Sequence, residues 1–136
     1  MRRLNWGCGS DIHFGWVNSD IADWPGIDVR ADILTGLPLP HDTFDYVVSI
    51  HALPEIPYCQ LDRALQELHR VLKPGGVLRL GLPDLEKAIS AWQTKDVDYF
   101  LITDDVVRSL SGKLIVQLTW FGQSRSMFNF EFIAEL

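Results

Sequence analysis

Apolar and polar positions alternate in short bursts along the first third of the chain, then shift to a helical spacing. "RRLNW", closed by Gly7, predicts a first strand. "GWVNSDI" predicts a second, followed by a turn at Trp24, Pro25 and Gly26. In "IDVRADI" the residues Ile27, Val29 and Ala31 fall on one side, as in a third strand. The breaker-rich "LTGLPLPHDT" then leads into "FDYVVSI", a nearly unbroken apolar run. Such a run suits a strand buried on both faces of a parallel sheet. The clearest helix is "YCQLDRALQELHRVLKPGG", where Leu61, Leu65, Leu68 and Leu72 share a face with Ala64 and Val71 beside them. Arg63 and Glu67 sit at i,i+4 on the wet side of that helix. Lys73, Pro74, Gly75 and Gly76 stop it. "VLRLGL" reads as the next strand, and "LEKAISAWQ" as a helix capped by Asp84. Farther on, "KLIVQLTWF" alternates like a strand, and "NFEFIAEL" reads as a helix start with Asn129 as its cap.

Strands alternating with helices argue for an α/β domain on a mostly parallel sheet. Parallel neighbours need right-handed crossovers, so helices are expected on both faces, in a doubly wound arrangement. Ligands of such sheets bind beyond the carboxyl ends of the strands, where strand order reverses. Gly7, Cys8, Gly9, Asp20, Asp32, Ser49 and His51 all fall at predicted carboxyl ends. Asp20 follows Gly9 so closely that a full helix hardly fits between them. A dinucleotide-binding loop launches a helix whose N-terminus meets a pyrophosphate. The short gap therefore argues against a nucleotide-dependent oxidoreductase.

Composition narrows the classes further. Of 136 residues, 47% are hydrophobic, enough for a core and too many for a disordered chain. That length suits one domain. The apolar runs fall far short of the roughly 20 residues a membrane helix needs. The basic start at Arg2 and Arg3 lacks the apolar stretch of a signal peptide. Cys8 and Cys59 lie far apart and form no CxxC pair, which reads as reduced thiols in a cytoplasmic protein. A net charge of −6, with no basic cluster beyond Arg2 and Arg3, argues against a nucleic-acid face and leans toward a small molecule. His13, His41 and the two cysteines lack metal-ligand spacing, so no metal is expected. There is no GxxxxGK[ST] and no GxSxG, which argues against a P-loop hydrolase and against an α/β-hydrolase elbow.

The residues at the strand ends each carry two readings. Glycines let backbone approach a ligand closely or adopt positive φ, yet "GCG" by itself is more often a plain turn. An aspartate ending the second strand can accept both hydrogen bonds of a ribose diol, and Asp32, ending the third, can accept from an adenine amino group, with the backbone of Ile33 facing the ring. Each aspartate alone is more often a turn or cap residue. His51 alone is more often a structural histidine than a catalyst.

Taken together and in order, "LNWGCG", "GWVNSDI", "ADI", "LPLPHDTFDYVVSIHAL" and "ELHRVLKPGGVLRLGLPDLE" resemble the class I S-adenosylmethionine-dependent methyltransferases, nearest to the kind called type 11. The resemblance runs from about Leu4 to Glu86. It implies a Rossmann-like sheet of strand order 3-2-1-4-5. It also implies S-adenosylmethionine as cofactor, S-adenosylhomocysteine as product, and a cofactor-binding core over residues 1–94. In this reading Gly7, Cys8 and Gly9 pass under the methionine part, Asp20 holds the ribose with Ile21 counted among the cofactor-binding residues, Asp32 and Ile33 hold the adenine, and Ser49 and His51 line the pocket near the sulfonium. Residues 95–136 form a variable, substrate-side segment of the same single domain. "WFGQSRSMFNF" suits a substrate-side lid, but the simpler reading, slightly favoured, has Trp120, Phe121, Phe128 and Phe130 packing the core.

Three departures from the family qualify these expectations. The Glu-His pair often found after the fourth strand is replaced by Pro54 and Glu55. Met1 lies almost on the first strand, and the chain stops at Leu136 inside an apparent helix, so the final antiparallel strand pair is missing or replaced. A fragment or natural truncation is expected, with a fifth strand open to pairing and hence a homodimer or other edge association. His51, the one histidine at a strand carboxyl end, is the candidate general base. The rival reading is a degenerate methyltransferase fold that only binds a cofactor or a partner. The acceptor is not legible.

Overall fold

Five strands, β1 (Arg3–Trp6), β2 (Val17–Asp20), β3 (Val29–Arg30), β4 (Phe44–Ile50) and β5 (Leu72–Gly81), pair in parallel in the order β3-β2-β1-β4-β5. The computed structural model describes residues 1–136 and divides into two compact units, Met1–Leu82 and Pro83–Leu136. The sheet belongs to the first. Its order reverses at β1, whose carboxyl end lies between those of β2 and β4, as the Rossmann-like expectation requires.

The register explains how a sheet with so short a first crossover is covered. Leu4 stands level with Val17 and Val47, and residues at one level share a face. Leu4 and Val47 are fully buried, as are Leu61, Ala64, Leu68 and Val71 of the helix α1 (Leu61–Val71). The opposite face carries Asn5, level with Asn18 and Val48. Here the β1–β2 connection folds back in place of a helix. Asn5 Nδ2 donates to the Asp11 carbonyl at 2.8 Å, Asn18 Oδ1 accepts from the His13 N–H at 2.9 Å, and Asn18 Nδ2 donates to the His13 carbonyl at 3.1 Å. Trp16 meets Tyr46 edge-on at 5.8 Å, and the Arg3 guanidinium lies 5.3 Å from the Trp16 ring centre. Two buried amides satisfy the backbone of that connection by hydrogen bonds, and one indole packs beside them.

Three local readings need correction. The third strand shrinks to Val29–Arg30, although Asp28 N–H to the Asn18 carbonyl (2.9 Å) and Ala31 N–H to the Asp20 carbonyl (3.0 Å) extend its pairing at both ends. The helix α1 stops at Val71. Leu72 has extended dihedrals (φ −74°, ψ 141°) and opens β5. Phe44 pairs with Leu72 but Tyr46 with Val77, so residues 73–76 bulge from the ladder where Pro74 has no N–H to give and Gly75 has φ 76°. Glu67 binds Arg70, three residues on, not Arg63, which is exposed.

The second unit holds three helices, α2 (Leu85–Thr94), α3 (Leu110–Thr119) and α4 (Phe130–Glu135). Asp84 caps α2 and Asn129 caps α4, both as expected. The segment "KLIVQLTWF" is a correction: it lies largely in the helix α3, which starts where the Ser109 hydroxyl accepts from the Gly112 N–H at 3.1 Å. Leu110, Leu114 and Leu118 recur every four residues, a helical spacing that the local alternation hid. The aromatic residues are a further correction. Phe128 is buried and stacks on Phe132, but Trp120, Phe121 and Phe130 are exposed. Trp120 and Phe121 both have positive φ (43° and 57°), so the chain turns out of α3 and carries their side chains outward. No strand follows β5, and no helix is long and apolar enough to cross a membrane.

Candidate cofactor site

The carboxyl ends of β1 and β2 are tied together by the glycine loop. Gly7 leaves β1 at φ 65°. Its N–H donates to the Ser19 carbonyl at 2.8 Å, and the Cys8 N–H donates to the same oxygen at 3.1 Å. The Gly9 N–H donates to Asp20 Oδ2 at 2.8 Å. Asp20 Oδ1 accepts from the Ala22 N–H at 2.8 Å. Three successive N–H groups are therefore spent on the end of β2. A phosphate-binding loop does the opposite and leaves its N–H groups free to point at the anion.

The sign of the local field agrees. Burial, and after it the Asp20 carboxylate, push the Cys8 thiol up, with Asp11 and Asp28 adding in the same direction. Carboxylates that disfavour a thiolate also repel a pyrophosphate and favour a cation. Cys8 is therefore a protonated, buried wall of the loop.

The β4 segment comes alongside through packing. A Cβ added at Gly7 would lie 2.1 Å from the Ala52 Cβ, so only glycine lets the segment after β4 close on the loop. A Cβ at Gly9 would meet nothing within 4 Å, which leaves that side of the loop open. Ser49, near the end of β4, is 1% exposed, and its Oγ has no hydrogen-bond partner. Ser19, one residue before Asp20, is in the same condition at 0% exposure. Ser19 stands level with Trp6, and Ser49 follows the Asn5–Val48 pair by one residue, so the two hydroxyls flank Trp6 on one face. His51 follows at φ 63°, its N–H bound to the Gly81 carbonyl at 2.9 Å and its ring exposed. Asp42, Lys95, Trp120 and Phe121 share that left-handed backbone, so the conformation by itself does not single His51 out.

Asp32 sits beyond β3 at the same edge and caps a 3-10 turn (Ile33–Thr35), its Oδ1 accepting from the Leu34 N–H at 2.9 Å. Ile33 is 3% exposed, so its side chain belongs to the core and only its backbone can serve a ligand. Ile21 is the reverse case, a large apolar side chain 60% exposed beside Asp20.

The structure thus brings Gly7, Cys8 and Gly9 into direct hydrogen-bonding reach of the β2 end, with the β4 exit against them. It gives Asp32 a structural duty of its own. Sequence reasoning passed over Ser19, Asn5 and Asn18. The available signal was a run of polar residues, "NSD", at positions where a central strand should be apolar. The site suits an uncharged nucleoside with a cationic arm. Asp20 uses one lone pair on each oxygen and keeps others for a diol, and Gly9 is open. No group of three or more His, Cys, Asp or Glu is placed to hold a metal ion.

Comparison with known proteins gives these features a family. A model of the methyltransferase domain matches residues 8–80, from the glycine loop into β5. A demethylmenaquinone methyltransferase of Lysinibacillus sphaericus is 29% identical over 109 residues, covering 79% of this chain and 45% of that protein. The mitochondrial arginine hydroxylase NDUFAF5 of Rattus norvegicus is 43% identical over 63 residues, covering 44% of this chain and 17% of that one. The chain spans less than half the length of either relative. A crystal structure from Thermotoga maritima, described as an S-adenosylmethionine-dependent methyltransferase and possible histamine N-methyltransferase, aligns with 98% of this chain and 60% of its own, at a TM-score of 0.62. At 17% identity that likeness shows the fold. With more than half its residues inside the family match, the chain belongs to the class I, S-adenosylmethionine-dependent methyltransferase-domain family.

Proposed function

We propose that the chain binds S-adenosylmethionine at the carboxyl edge of the sheet, as a single methyltransferase domain, and methylates a small-molecule acceptor. The observation that carries this reading is the loop whose three N–H groups are spent on Ser19 and Asp20. It forms an acidic cradle, unfit for pyrophosphate and fit for a sulfonium-bearing nucleoside. Gly7, Cys8 and Gly9 would face the methionine part, Asp20 and Ile21 the ribose, Asp32 and the Ile33 backbone the adenine, and Ser49 and His51 the reacting end. When bound, the cofactor supplies a methyl group already activated on sulfur. The protein's share is to hold the acceptor in line and to exclude water. An oxygen acceptor needs its proton removed, and the exposed His51 ring is the candidate base. A small acceptor is in keeping with the name of the Lysinibacillus sphaericus relative and with the net charge of −6. The separated cysteines suit the cytoplasm. Val77, 53% exposed on the outermost strand β5, supports an edge association between copies.

The test is calorimetric titration of the chain with S-adenosylmethionine and S-adenosylhomocysteine. Micromolar affinity (about −8 kcal/mol) is expected, lost in Asp20→Ala and retained in His51→Ala. A folded wild-type chain that binds neither ligand overturns the reading. A second reading, a cofactor-binding module without turnover, rests on Pro54 and Glu55 standing where the family resemblance leads one to expect a Glu-His pair. Family membership does not choose between the two, because one domain fold hosts several reactions.

A further inference from the structure

The pair Glu67–Arg70 on α1 is better built than a helix-surface ion pair needs to be. Arg70 Nη2 donates to Glu67 Oε1 at 2.6 Å, and Arg70 Nε to Glu67 Oε2 at 2.8 Å. Their side chains are only 23% and 13% exposed. Both ends continue into the segment that follows Asp32. Glu67 Oε1 accepts from the Leu37 N–H at 2.6 Å. Arg70 Nη2 donates to the Leu37 carbonyl at 3.1 Å, and Nη1 to the Leu39 carbonyl at 2.9 Å. Pro38 and Pro40 have no N–H to offer, and the clamp adds to the one bond the segment makes within itself, from the Leu39 N–H to the Leu37 carbonyl at 2.7 Å.

The clamped segment is rigidly joined to Asp32. The Thr35 N–H and Oγ1 donate to the Asp32 carbonyl at 3.0 and 2.9 Å, the Gly36 N–H donates to the Ile33 carbonyl at 3.2 Å, and Leu37 comes next. Before Asp32 the chain is held by the two-residue strand β3 and by the Ala31 N–H, which donates to the Asp20 carbonyl at 3.0 Å. We infer that Glu67 and Arg70 are positioning residues: they fix the 3-10 turn against α1 and so aim the Asp32 carboxylate at the exocyclic amine of the cofactor's adenine. This rests on the cofactor reading above.

The pair of ligands that tests it is S-adenosylhomocysteine and S-inosylhomocysteine, which carries an oxo group in place of that amine. Calorimetry is run on the wild-type chain, Arg70→Lys and Glu67→Gln, with thermal unfolding recorded for each. A lysine cannot grip two carbonyls and a carboxylate at once. Glu67→Gln keeps the shape and removes the charge, and it serves if Arg70→Lys fails to fold. The wild-type chain is expected to prefer the adenine compound at least tenfold, roughly one charged hydrogen bond's worth. Either variant is expected to bring the two affinities within about twofold, chiefly by weakening the adenine compound. A variant that weakens both ligands alike, or neither, keeps the wild-type preference and overturns the positioning role. A wild-type chain that binds both ligands equally removes Asp32 as the amine's partner, and the proposal falls. A wild-type chain that binds neither overturns the cofactor reading itself.

Discussion

Gly7 and Gly9 have the same left-handed backbone (φ 65° and 51°) but opposite surroundings. At Gly7 a methyl group would drive into Ala52, while at Gly9 it would stand in open space. Gly7→Ala is therefore expected to cost about 2–4 kcal/mol, from overpacking added to left-handed strain. Gly9→Ala is expected to cost only about 1 kcal/mol while weakening S-adenosylhomocysteine about tenfold, or ~1.4 kcal/mol. Urea unfolding and calorimetry on the two variants check this split, and equal losses of stability would refute it. The sequence marks both positions as glycine in a loop. It does not say which one serves packing and which serves a ligand, because that depends on Ala52, far along the chain.

Among the elements, α1 does the most to organise the sheet edge. Its buried stripe was readable from spacing, but Glu67 was assigned the wrong partner. An i,i+4 rule sees only the helix, and the winning partner geometry includes the carbonyls of Leu37 and Leu39. The Arg70 guanidinium, with the Leu37 N–H, holds the Glu67 carboxyl below its usual range despite partial burial. A depressed carboxylate contributes stability that is present above its unfolded value, about 4.3, and is lost as pH falls through the folded one. The wild-type chain is expected to be more stable than Glu67→Gln at neutral pH by ~3 kcal/mol, with the gap closing under acid. Urea midpoints compared between pH 7 and pH 3 measure it. Asp45 and Asp105 are lowered as well, by Lys73 and Thr103, and cancel in the comparison. No gap at pH 7 would show that Glu67 acts by shape and not by charge.

At the scale of the whole molecule, the sheet ends at β5, where Val77 and Arg79 are exposed. An outer strand with free backbone groups invites a second copy. Light scattering is expected to give twice the monomer mass at high concentration, with Val77→Lys returning the monomer and leaving the fold intact. A monodisperse wild-type monomer at the same concentration removes the edge association. The family match covers the first unit closely and stops at residue 80. The caps at Asp84 and Asn129 were legible beyond that point, but α3 and the exposed Trp120, Phe121 and Phe130 were not.

Strand and helix periods and the breakers between them pointed to a parallel α/β sheet, while its strand order came from the family resemblance that the ordered motifs carry. These are local signals, written in residues close together along the chain. Tertiary structure alone decided how Asn5, Asn18 and Trp16 tie the β1–β2 connection onto the sheet. It also decided that the glycine loop spends its N–H groups on β2, and that Glu67 and Arg70 grip the turn after Asp32. Each of these joins residues from separate elements through hydrogen bonds whose partners are fixed only once the strands are in register. Only the folded chain brings such donors and acceptors within hydrogen-bonding distance of each other.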